Sequence, residues 1–113
     1  MVWDVEGTGE FEMWFLALEA DDARAVNETL EMLRQFGPLL KRPAADTLKG
    51  SKYPNLKELR PTQTLRVFYV FDPRRVAILL TAGDKENDPR FYDKMIPRAE
   101  NLYEEHLKTL GDT

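Results

Sequence analysis

The sequence predicts an α+β fold in which two N-terminal helices pack on a small, mostly antiparallel sheet, in the order β-α-α-β-β-β-α. Three observations predict it. Apolar residues recur at helical spacing in two early segments, Phe11-Phe15-Leu18 and Val26-Leu30-Leu33. The strongest apolar runs, 65–72 and 76–82, follow one another across a short turn, as antiparallel neighbours do. Amphipathic helices beside such a sheet have nowhere else to bury their apolar stripes. A length of 113 residues suits one domain spanning 1–113.

The elements follow in order. "VWDVE", 2–6, alternates as a short strand. Thr8 is placed to cap a helix through "GEFEMWFLAL". Asp21 or Asp22 can cap a second helix, which Gly37 and Pro38 end. Residues 38–55 hold three prolines and a glycine among mostly polar residues, so they read as a loop with at most a short helical turn. "LKELR", 56–60, is a short strand and "PTQT" a hairpin-length connection. "LRVFYVFD" puts Leu65, Val67, Tyr69 and Phe71 on one face, and Phe68 and Val70 on the other. Both faces are apolar, which marks a central strand. "VAILLTA" is the second central strand. Asp88 and Pro89 suit a helix start, and the helix after them meets Pro97, which should kink or split it.

Charge is unevenly distributed. The net charge is -4, yet residues 1–31 carry nine acidic groups and one basic, while 41–60 carry six basic and two acidic. One anionic and one cationic face are expected. No apolar run approaches the roughly 18 residues of a membrane span. The acidic N-terminal stretch lacks an apolar signal region, and cysteine is absent, so a cytoplasmic protein without thiolate chemistry is expected.

There is no phosphate-binding glycine loop and no metal-ligand cluster in the sequence. His106, the single histidine, reads as a surface or partly buried helix residue. The constellation with chemistry is basic and aromatic. Arg66 shares strand parity with Phe68 and Val70, so it stands at the mouth of an apolar face. Arg60 lies across the short connection, Lys85 follows the next strand, and Arg90 and Tyr92 open the last helix. Lys57 and Lys52 add cations from the basic segment. Such groups around one concave surface suit a phosphodiester, because arginine offers a planar fork to phosphate oxygens. Tyr92 or Tyr69 could stack on a base. The plainer readings pair Arg66 with Glu58 across the strands and leave Lys85 to solvate a turn beside Asp84 and Glu86.

"LKELR" (56–60), "LRVFYVFDPRRVAILL" (65–80), "GDKENDPRFY" (83–92) and "IPRAENLYEEHL" (96–107) together resemble the RelE/HigB family of bacterial toxins, in its phage-related HigB-like branch. The resemblance implies a RelE-like fold and a metal-independent, cofactor-free mRNA endoribonuclease, often acting in the ribosomal decoding site. The 2′-hydroxyl attacks the adjacent phosphate. Arg66 matches the strand arginine that grips the phosphate. Lys85 falls where a basic residue stabilises the leaving group, and Tyr92 falls one residue from the family's C-terminal tyrosine. Arg60 matches a recurrent arginine. Where many RelE members have lysine, this chain has Glu58, a candidate general base. The implied partners are mRNA, the 70S ribosome and a cognate helix-turn-helix antitoxin, with DNA met only through the antitoxin. The same scaffold also serves ParE-like, non-enzymatic inhibitors of DNA gyrase, and a degenerate toxin would only bind its antitoxin.

Overall fold

A computed structural model describes residues 2–111; the ends of the expected 1–113 span lie outside the described residues. The chain runs β1 (Val5–Gly7), α1 (Gly9–Leu16), α2 (Ala20–Phe36), a 3₁₀ turn (Gly37–Leu39), β2 (Ala45–Thr47), β3 (Lys57–Leu59), β4 (Leu65–Phe71), β5 (Ala77–Asp84) and α3 (Phe91–Gly111). The sheet order is β1-β5-β4-β3-β2. β2 to β5 pair antiparallel, and β1 joins β5 in parallel.

The alternation along β4 builds two cores. Leu65, Val67 and Tyr69 meet Phe11 of α1 and Val26, Leu30 and Leu33 of α2 on one face. Phe68 and Val70 meet Phe91, Ala99, Leu102 and Tyr103 of α3 on the other. Each such side chain taken fully out of water contributes about 1.5–3 kcal/mol. The sheet is therefore covered on both faces, and β4 at its centre is buried on both. A register shift between Phe68 and Tyr69 in the β4–β5 ladder lets the strands twist between these cores.

Thr8 caps α1, its hydroxyl oxygen accepting from the Phe11 amide at 3.1 Å. Gly37 ends α2 at φ 55°, and there a Cβ would run into the Trp3 ring.

Four expectations need correction. β2 lies inside the segment read as loop. Three residues, Ala-Asp-Thr, carry no periodicity, and β3 supplies the pairing that makes them a strand. α2 starts before the aspartates expected to cap it; Glu19 stands at the cap without a side-chain bond, and Asp21 and Asp22 lie in the first turn, favourable to the helix dipole. β1 begins three residues late because the Trp3 amide donates to Arg34 O of α2 instead. Of the kink or split expected at Pro97, the split is absent: α3 runs as one helix through it.

Candidate functional site

Glu58 is the centre of the site. It sits on β3 opposite Phe68, so its side chain leaves the sheet on the α3 face. Its side chain is only 4% exposed. A carboxylate so buried needs partners, and it has them. Arg60, two residues on and on the same face, donates from Nε at 3.0 Å and lies at 2.9 Å through Nη2, both to Oε2. Tyr92, in the first turn of α3, donates its hydroxyl to Oε1 at 2.7 Å. Burial and then this bond to Glu58 push the Tyr92 hydroxyl above its ordinary pKa.

Arg66 lies beneath. Its Nε stands 3.8 Å from Glu58 Oε1, which realises the cross-strand pairing given as the plainer reading. Its Nη1 donates to the carbonyls of Thr62 (2.9 Å) and Leu65 (2.8 Å), and its Nε is buried without a hydrogen-bond partner. Arg66 is thus an underpinning cation held by backbone, not an open phosphate grip.

A cavity of about 410 Å³ opens above Glu58. Arg60, Tyr92 and Ile96 line it with Glu58, and Arg42, Asp46, Thr47, Leu48 and Lys49 close it. Arg42, Asp46 and Lys49 were not singled out from the sequence. The run of six cations in 41–60 was the available signal; Asp46 had none, because its strand had none. Asp46 faces Glu58 across the β2–β3 pair. Its Oδ2 accepts from Arg42 Nε at 2.8 Å and lies 3.4 Å from Arg60 Nη2. The hydrogen bond from Arg42 holds this carboxyl below its usual range.

The remaining expected residues scatter. Lys85 closes the end of the β4–β5 ladder, its amide donating to Thr64 O at 2.9 Å. Its ammonium makes no ion pair or side-chain hydrogen bond among the described residues, and it lies two positions beyond Gly83, the partner of Arg66. Neither Lys85 nor the exposed Arg90 lines the cavity. Lys57 pairs with Tyr69 in register, so it leaves the sheet on the other face and bonds Thr47 Oγ1 at 3.2 Å. Lys52 is bound to Glu104 at 2.8 Å, 12 residues along α3 from Tyr92, which is about 18 Å of helix. Tyr69 is wholly buried in the first core and cannot stack on a base. The converging set is Glu58, Arg60, Arg66 and Tyr92.

His106 is partly buried, as expected for a helix residue. Its Nε2 lies 2.8 Å from Asp72 Oδ2, which also takes Arg74.

The family profile described as "Phage derived protein Gp49-like (DUF891)" matches residues 13–104. HigB3 of Mycobacterium tuberculosis, named as a toxin, is 43% identical over 100 residues, covering 87% of this chain and 88% of HigB3. HigB2 of the same organism, also named as a toxin, is 37% identical over 105 residues, covering 88% of this chain; the chain spans 52% of HigB2. In fold, the chain is similar to RelE in the archaeal RelE–RelB complex from Pyrococcus horikoshii, at a TM-score of 0.62 and 18% identity, over 77% of this chain and 99% of that one.

Proposed function

The chain belongs to the phage-derived Gp49-like family, among the RelE/HigB-type toxins, and from that premise we propose that it is a toxin that cleaves mRNA. The observation that carries the nuclease reading is the constellation in which Glu58, buried and flanked by Arg60 and Arg66, accepts a proton-bearing bond from Tyr92 at the floor of an open cavity.

Its chemistry suits phosphodiester transesterification. The 2′-hydroxyl of the ribose gives up its proton as its oxygen attacks the adjacent phosphorus. Tyr92 takes that proton and passes its own to Glu58 Oε1, along the bond already present. The phosphorus–5′ oxygen bond breaks, leaving a 2′,3′-cyclic phosphate and a 5′-hydroxyl. The leaving oxygen needs a proton, and Lys49 on the cavity wall has an ammonium group without an ion-pair partner among the described residues. The phosphorane carries extra negative charge, which Arg60 and Arg42 are placed to offset. Arg66 lies beneath Glu58, its Nε 3.8 Å from Oε1, and helps hold that side chain in place.

The cavity opens to solvent beside the cations of Arg42, Lys49 and Arg60, and mRNA held in an extended form by the ribosome is the proposed substrate. The archaeal relative in fold is seen with RelB; a cognate antitoxin is the proposed partner here.

The test is cleavage of a defined mRNA with and without translating ribosomes, no metal added, using wild type beside Glu58→Gln and Lys49→Ala proteins that melt normally. Cleavage by wild type with 5′-hydroxyl ends, lost in Glu58→Gln, is expected. Intact mRNA under both conditions would remove the nuclease reading, and gyrase inhibition would be assayed next.

A further inference from the structure

We propose that Asp46 holds the place of a substrate phosphate: its carboxylate occupies the guanidinium fork of Arg42 and the outer face of Arg60, and an RNA phosphate must displace it. The inference rests on the reading of the cavity as an RNA site.

The geometry distinguishes the two carboxylates that face each other across β2 and β3. Glu58 is buried and holds Arg60 through two contacts, at 3.0 and 2.9 Å. Asp46 is redundant for Arg60, which it meets only at 3.4 Å. Its Oδ2 takes Arg42 at 2.8 Å from both Nε and Nη2, and its Oδ1 accepts only from the adjacent Thr47 amide at 2.9 Å. That side-on approach is the one arginine offers to phosphate as well as carboxylate. Arg42 is 70% exposed, so the pair is solvent-screened and cheap to break. Breaking the Glu58 pair would strand a buried charge. One anion is therefore fixed and the other exchangeable, and both arginines line the cavity that Tyr92 floors.

The exchange has two consequences. Weak polyanions fail to enter, because they must compete with a tethered carboxylate. A phosphate that does enter gains both guanidinium groups.

The experiment titrates a labelled single-stranded RNA, 2′-O-methylated throughout so that it cannot be cleaved, into the full chain at two salt concentrations. Wild type is compared with Asp46→Asn, Asp46→Glu and Asp93→Asn. Asp93 lies beside Tyr92 in the first turn of α3 and has the same charge without an arginine partner among the described residues. Asp46→Asn is expected to bind about three- to tenfold tighter, with a salt slope steeper by about 0.7 for each cation released. Asp46→Glu and Asp93→Asn should stay near wild type. A gain in Asp46→Asn no larger than in Asp93→Asn overturns the proposal, as does an equal gain in Asp46→Glu. In the unmutated protein the Asp46 carboxyl carbon resonance should move on RNA addition; its staying put overturns the proposal without any mutation. If none of the proteins binds RNA, this inference falls, while the nuclease reading is decided by the cleavage assay with ribosomes.

Discussion

The Tyr92 hydroxyl donates to Glu58 Oε1 at 2.7 Å, joining the first turn of α3 to the third strand of the sheet. Removing that hydroxyl separates structure from chemistry. Tyr92→Phe keeps the ring against Phe68 and Phe91, whose centroids stand 6.2 and 5.3 Å away. Glu58 then loses one acceptor bond but keeps Arg60. The expected stability loss is about 1 kcal/mol. The cleavage rate should fall by about 10²-fold or more. Melting and single-turnover cleavage on the same preparation check both; a variant that cleaves like wild type would exclude Tyr92 from proton transfer.

That pairing also shows how much the sequence disclosed. Arg66 and Tyr92 were legible because strand parity and a helix start place side chains by rule, while Glu58 was named as a candidate base through the family resemblance. The cross-strand Arg66–Glu58 pair followed from the same parity. Lys57 was misplaced although parity was available: one residue before Glu58, it must face the opposite side of β3. Lys52 and Asp46 were illegible for another reason. Their positions depend on where an aperiodic segment crosses the sheet edge and α3, and long-range partners alone decide that. The orientation of Arg66 toward carbonyls was also hidden, because a connection such as 61–64 has no side-chain pattern to show where its carbonyls point.

The Asp72 carboxylate predicts a pH dependence. Burial raises its pKa, but hydrogen bonds from His106, Arg74 and the Val76 amide outweigh this and hold it below its ordinary 3.8. A depressed folded pKa adds stability that is complete above the unfolded value and lost as pH falls through the folded one. Asp72→Asn should therefore cost about 2 kcal/mol at pH 7. The gap to wild type should persist at pH 5 and narrow only below about pH 4. Urea midpoints at pH 7, 5 and 3 check it; a gap that closes by pH 5 would mean that the bonds to Asp72 add little.

Glu100 and Glu104 latch the segment that carries a cavity wall. Glu100 accepts from Ser51 Oγ at 2.7 Å and from the Lys52 amide at 2.8 Å, while Glu104 takes the Tyr53 hydroxyl and Lys52 Nζ. Glu100→Ala should speed hydrogen exchange at the Lys52 amide by at least about tenfold while changing global stability by less than about 1 kcal/mol. Cleavage should fall a few-fold, because Lys49 just upstream loses its support. Unchanged exchange at Lys52 would show that backbone packing, not the carboxylate, holds the segment.

Gly83 tests whether the site depends on how closely α3 approaches the sheet. It is the β5 partner of Arg66. A Cβ there would stand 2.9 Å from Phe91 Cε1 and 3.5 Å from Met95 Cε, the first closer than real contacts allow. Phe91 in turn packs on Phe68, with centroids 5.9 Å apart, and directly precedes Tyr92 in the chain. Gly83→Ala must therefore push the start of α3 outward or turn the Phe91 ring. Overpacking of this kind costs about 1–3 kcal/mol. The shift also carries the Tyr92 hydroxyl off Glu58, and a displacement of about 1 Å can cost about 10²-fold in rate. Activity should thus fall further than stability, and a Gly83→Ala/Phe91→Leu double variant should regain both. If Gly83→Ala melts and cleaves like wild type, the ring has turned aside and the placement of Tyr92 does not depend on this contact.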